Sequence, residues 1–165
     1  MASADKIMLG YGVVSVGVTP IGLTRGGSSF KIERVIRQIE ADGDRGPVMG
    51  RIVIDSEVAT LAVNALELFT SADMTKYYPG VSVTVGAMTG TLTIIAGDYS
   101  DITWTGKTKD GKSVIITIEN ALNMGNLEWT LEDNNEVVPE IEFTGTYDEA
   151  ARDTPPWNVA FEQSV

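Results

Sequence analysis

Three short stretches of this 165-residue sequence hold residue types that do chemistry in other proteins. Gly106-Lys107-Thr108 has the ending of a phosphate-binding loop. Such a loop needs a glycine five positions earlier and a helix immediately after. Position 101 is Asp, and Lys109-Asp110-Gly111-Lys112 has the chemistry of a hairpin turn. Asp42-Gly43-Asp44 opens like a calcium loop, which ends on a Glu at its twelfth position. Position 46 is Gly and the twelfth position is Val53, so turn chemistry accounts for the run. Glu132-Asp133 and the Glu140/Glu142 pair supply carboxylates, and glycoside hydrolysis needs two of them across a cleft. Glu140 and Glu142 lie two apart on an expected strand, so they share one solvated face.

Histidine and cysteine are both absent. That excludes Ser–His–Asp, Cys–His and histidine-based zinc arrangements, together with any disulfide framework. No catalytic residue, metal ligand or cofactor site is assigned, and the expectation is a protein that is not an enzyme. The three tryptophans carry no catalytic pattern. Trp104 and Trp129 sit in expected strands as core or interface anchors. Trp157 follows Pro155-Pro156 and is expected to meet a neighbouring subunit.

The net charge is −11, and its placement is uneven. Up to Lys112 there are 11 basic and 12 acidic residues; beyond it Arg152 alone stands against 11 acidic ones. An acidic surface of this kind solubilises the chain and offers nucleic acid no landing site. Ile7–Val18 is apolar, but its glycines, Tyr11, Ser15 and the preceding Asp5 do not make a signal-peptide core. No stretch approaches the roughly 20 apolar residues of a membrane span.

The elements that would position these residues are strands. Glycine is frequent, at 17, and Thr, Val and Ile recur, which suits short strands and tight turns. The pattern predicts one domain over 1–165, with flexible arms at 1–6 and 154–165. Strands are expected at Leu9–Val18, Phe30–Ala41, Arg51–Asp55 and 57–68. Within Phe30–Ala41 the alternation changes phase between Phe30/Ile32 and Val35/Ile39, which predicts a bulge or a change of packing partner. The segment after Ser56 has apolar residues at helical spacing, yet its β-branched residues favour a strand. A new helix start at Thr70 or Ser71 agrees with that, and it predicts a short helix over 71–78, stopped by Pro79-Gly80. Further strands are expected at Val81–Val85, Thr91–Ala96, Ile102–Thr108, Ser113–Glu119, Asn126–Leu131, Val137–Thr146 and Trp157–Phe161. The fold class is therefore mainly β: a two-sheet sandwich or barrel, one short flanking helix, and a long hairpin loop over about 41–50.

Three stretches taken in order resemble the major tail (tail tube) proteins of long-tailed bacteriophages. They are Val14–Gly27, Phe30–Arg34 running into Asp42–Gly50, and Ala59–Glu67; weaker matches follow at Ile115–Asn123 and Ile141–Asp148. The resemblance implies two sheets with a flanking helix, a fold shared with the tube protein of type VI secretion. It implies six-subunit rings whose strands join a continuous inner wall. The rings stack into a tube around a tape measure protein, closed by tail terminator and baseplate or tip proteins. Double-stranded DNA passes through without specific binding, and the acidic charge predicts an acidic lumen. The location implied is the virion tail, with assembly in the host cytoplasm. The matching loop of the family reaches an adjacent ring, which points to Asp42, Asp44, Arg45 and Met49 as inter-ring contacts. The C-terminal residues Trp157 and Phe161 join them. The rival reading from the residues is a carbohydrate-binding β-sandwich module.

Overall fold

The structure is a computed structural model that describes residues 6–66 and 71–162. The expected N-terminal arm at 1–5, the strand end at 67–68, the cap at Thr70 and residues 163–165 lie outside the described residues.

Two antiparallel layers share one core. The first layer holds β1 (Met8–Val16), the two-residue β2 (Thr19–Pro20), β7 (Ser100–Thr108), β8 (Ser113–Asn123) and β10 (Trp157–Phe161), in the order β2-β1-β7-β8-β10. The second holds β3 (Thr24–Gln38), β4 (Ile52–Ala65) and β9 (Glu140–Thr144), in the order β9-β4-β3. Helix α1 (Ser71–Tyr77) and a separate hairpin of β5 (Val81–Thr84) and β6 (Ala87–Gly90) follow β4. Inward alternation fills the space between the layers. Val14, Val16, Ile102, Ile116 and Ile118 come from one side, and Leu61, Val63, Ile141 and Phe143 from the other. The helix adds Met74 and Tyr77 to the same core.

One strand belongs to both layers. Residues 113–118 of β8 lie between β7 and β10, while Leu122 and Asn123 pair with Thr144 and Phe143 of β9. The change of layer happens at Asn120, the residue with a φ of 48°. There the β7–β8 register slips: Ile102 faces Ile118, but Ser100 faces Ala121. An asparagine tolerates the left-handed conformation, and a bulge bends a strand around a corner. Side chains hold the corner on both sides. The Asn120 amide donates to Asp101 Oδ1 (3.0 Å), and Thr146 Oγ1 donates to the Asn120 carbonyl (2.6 Å). The strand expected to end at Glu119 continues to Asn123, and its bend is the hinge of the sandwich.

Trp104 explains two glycines. Gly12 and Gly106 face each other across the β1–β7 ladder, and the buried indole lies over both. A Cβ at Gly12 would sit 2.4 Å from the ring, and one at Gly106 would sit 2.2 Å from it.

The hairpin expected at Lys109–Lys112 is present, with Gly111 at φ 85°. The segment after Ser56 is a strand, joined with Arg51–Asp55 into the single β4. Two expected strands are not. The return strand of the hairpin after Val81 begins at Ala87, because Gly86 (φ 80°) turns the chain in two residues; residues 91–95 lie outside any ladder. Asn126–Leu131 has strand alternation but no ladder partner among the described residues, and only Glu140–Thr144 of the expected 137–146 is paired. Of the expected C-terminal arm, Trp157–Phe161 is tied to β8 as β10.

Gly106→Ala is expected to lower the free energy of unfolding by about 1–3 kcal/mol through overpacking against Trp104, measured by chemical denaturation. An unchanged midpoint would mean that the indole has room to move.

Candidate assembly surfaces

The β3–β4 hairpin is longer than the core it covers. Phe30 and Ile32 of β3 pair with Leu61 and Ala59 of β4 and pack on the core. Beyond them Arg34 faces Glu57, Val35 faces Ser56 and Ile36 faces Ile54, which leaves Asp55 as an extra residue in β4. The expected bulge is therefore present, but in the partner strand. Its effect is to turn Ile54 and Ile52 onto the side occupied by Ile36. That side continues the core-facing side of the sheet past the end of the core. Ile36 is 59% exposed, Ile52 52% and Ile54 54%, so the stripe is bare in the single chain. Val35 and Ile39 are exposed on the opposite face. Arg37 grips the bulged Asp55 through two hydrogen bonds of 2.9 and 3.3 Å, which raises the Arg37 pKa.

The loop at the hairpin tip is an ordered object. The Ile39 amide donates to the Arg51 carbonyl (2.8 Å) and closes its base. Asp44 stitches the interior. Its Oδ2 accepts from the Ala41 amide (2.9 Å) and from Arg51 Nη1 (2.7 Å). Gln38 Nε2 donates to the Gly46 carbonyl (3.1 Å). Asp44 thus spends its carboxylate within the loop, while Asp42, Arg45 and Met49 point outward, Met49 at 97% exposure.

The two C-terminal residues also differ. Trp157 is half-buried; its ring lies 6.4 Å from that of Phe30 at 57°, and its Nε1 donates to the Glu57 carboxylate. Arg34 Nε approaches the same carboxylate at 2.9 Å. This cluster ties β10 of one layer to β3 and β4 of the other. Phe161 remains 61% exposed at the end of β10. Of the expected contact residues, Asp42, Arg45, Met49 and Phe161 face outward, and Asp44 and Trp157 hold the chain's own elements together.

A third surface is the outer face of the second layer. Alternation against the buried Ala59, Leu61 and Val63 puts Thr60, Ala62 and Asn64 of β4 on it. The register adds Ser29, Lys31 and Glu33 from β3, and Glu140 and Glu142 from β9. The Lys31 pKa is raised, first by its hydrogen bond to Glu33 and further by the charge of Glu142. The face is small and hydrophilic, with three carboxylates against one ammonium among these residues. Glu128, Glu140 and Glu142 line a shallow cleft beside it with Asn126, Thr130 and Val138, and no aromatic side chain lines it. Among the described residues no group of three or more acidic side chains is placed to hold a metal ion.

The last feature is an edge. β3 has 15 residues, bonds to β4 on one side, and has no strand on the other among the described residues. Long bare edges invite pairing with another chain. The long-tipped hairpin was legible in the sequence, and the Ile36–Ile52–Ile54 stripe was not. The signal was there in Ile52 and Ile54 sharing a face, yet apolar alternation reads the same for a core and for an interface.

No family model matches the sequence, and no curated protein matches it. Solved structures share its fold. The cap that terminates the tube of the anti-feeding prophage aligns with a TM-score of 0.58 at 11% identity, covering 98% of this chain and 95% of that one. A chain of the sheath–tube complex of the extracellular contractile injection system PVC, in its extended state, gives 0.53 at 12% identity, covering 96% and 92%. A chain of the virion of a native gene transfer agent gives 0.51 at 9% identity, covering 91% and 94%. The fold is thus of the tail-tube type, as the sequence resemblance implied.

Two outcomes test this geometry. Asp44→Ala is expected to speed tryptic cleavage after Arg45 severalfold while moving the global unfolding free energy by less than about 1 kcal/mol, since a loop opens locally. Acid should weaken the fold in a defined window. Glu136 is held low by its backbone hydrogen bond and Arg25, and Glu162 by the Ser113 amide. Both carboxylates have an ordinary value of 4.5, so the unfolded chain takes up protons first as pH falls. Their contribution is complete above that value and is lost below it. With no histidine, stability measured by denaturation should be flat from about pH 6 to pH 8.

Proposed function

We propose that this chain is a structural subunit of a phage-type tail tube: copies of it close into hexameric rings, and the rings stack into a conduit. The observation that carries the reading is the combination of a tail-tube-type fold with three surfaces that one copy leaves unsatisfied. These are the bare β3 edge, the apolar stripe of the projecting hairpin, and the small acidic outer face of the second layer.

Each surface has a place in such an assembly. The β3 edge extends its sheet into the neighbouring copy, which removes the edge by ring closure. The hairpin, with Asp42, Arg45 and Met49 at its tip and Ile36, Ile52 and Ile54 along its side, reaches the adjacent ring, and Phe161 joins the contact. Asp44 and Trp157 hold these contact elements in shape. The outer face bearing Ser29, Thr60, Ala62, Asn64, Glu140 and Glu142 lines the lumen. Its hydroxyls and carboxylates give DNA nothing cationic on which to dwell. The location is the virion tail, and the protein has no catalytic role. The tape measure, terminator and baseplate proteins are its remaining partners.

The carbohydrate-binding alternative calls for exposed indoles in a groove. Trp104 is buried under its own ladder and Trp157 is engaged with Phe30 and Glu57; Trp129 is the single exposed indole and does not line the neighbouring acidic cleft, which favours the assembly reading.

Negative-stain microscopy of the purified protein is expected to show rings or tubes roughly 100 Å across, scaled from a domain of this size. Monomers that persist at high concentration and under nucleation would overturn the reading. Deleting residues 42–50 should leave the thermal midpoint close to that of the parent and abolish stacking. Tubes carrying Glu140→Lys and Glu142→Lys are expected to retain short duplex DNA that parent tubes release; equal release would remove those residues from the lumen.

A further inference from the structure

Asn126–Leu131 is a strand by sequence and not by structure. Leu127, Trp129 and Leu131 alternate with Asn126, Glu128 and Thr130, and the apolar members are 45%, 38% and 76% exposed. No backbone hydrogen bond joins residues 126–131 to another described residue. Yet the segment is not remote from the fold. It runs along the β9 side of the second layer, where Asn126, Glu128 and Thr130 line the same cleft as Glu140 and Glu142.

The second layer therefore has two unsatisfied margins on opposite sides. One is the bare edge of β3, and the other is the extended segment beside β9. Two different margins that complement each other make a head-to-tail contact, and rotation can close such a contact into a ring. The charges agree with this pairing. Residues 126–136 hold Glu128, Glu132, Asp133 and Glu136 and no cation. β3 holds Arg25, Lys31, Arg34 and Arg37 against Glu33 alone. Within one chain Arg25, Lys31 and Arg37 sit in exposed or half-exposed pairs with Glu136, Glu33 and Asp55, while Arg34 is held by the largely buried Glu57. Exposed pairs of that kind are weak enough to be shared with a neighbour.

We propose that Asn126–Leu131 becomes a β-strand only on assembly, and that its ladder partner is the free edge of β3 in an adjacent copy. This rests on the ring-forming reading above and adds the pair of segments that makes the joint. Pairing satisfies backbone groups that the isolated chain leaves to water. It also covers Leu127, Trp129 and Leu131, and it sets an acidic segment against a basic strand.

Hydrogen exchange read by mass spectrometry on the full chain, dissociated and assembled, tests the joint without any variant. The expected result is fast exchange at 126–131 in the dissociated chain. In assemblies, exchange there and along β3 should slow by at least about 100-fold, as for ladder amides. Thr130→Pro removes an amide that the isolated chain does not use. It should leave the thermal midpoint unchanged and raise the concentration needed for assembly at least about tenfold, one lost ladder bond with its distortion. An assembling chain whose 126–131 amides stay fast, or slow while β3 is unaffected, overturns this pairing alone. A chain that sediments as a monomer under all conditions overturns the ring-forming reading and the pairing with it.

Discussion

A strand has two hydrogen-bonding edges, and β3 satisfies one of them. Its 15 residues form the longest strand among the described residues and lie at the margin of the second layer. Small monomeric proteins blunt such an edge with prolines, extra charge or a covering loop. This strand has no proline, and its charges are already matched on their own side, Lys31 to Glu33 and Arg37 to Asp55. The arrangement makes sense when the second edge belongs to another copy. The remaining features hold that edge in place.

Two anchors keep it so. Near its middle, β3 is held through Phe30 and Arg34, which meet Trp157 and Glu57 from the other layer and the adjacent strand. Further along, the bulge at Asp55 resets the register and carries the apolar side of the hairpin beyond the core. A bulge is a costly irregularity in a plain hairpin, and here it decides which face the isoleucines take. On the opposite layer, the indole of Trp104 lies on two glycines and lets β1 and β7 sit tightly on the core. The platform is stiff beneath the bare edge and the projecting hairpin.

Charge is divided in the same way. Residues 126–142 hold six carboxylates and no cation, while β3 by itself holds four cations against Glu33. Fold and solubility alone would tolerate almost any arrangement of these residues. A segregated one gives opposite margins opposite signs, which favours head-to-tail contact and opposes the like-with-like one.

Composition and alternation by themselves determined the fold class, the helix after Ser71, the Lys109–Lys112 hairpin and the long-tipped hairpin over 41–50. Those features depend on neighbours close in sequence: a turn glycine, a period of two, a missing histidine. The bend of β8 at Asn120, the site of the bulge and the outward or inward turn of Asp44 and Trp157 depend on partners far along the chain. Glu57 is 100 residues from Trp157, and no local pattern carries that pairing. The two strands misjudged at 91–96 and 126–131 mark the same boundary. Apolar alternation reports that a face wants to leave water, but only the tertiary structure decides whether the chain itself supplies the cover.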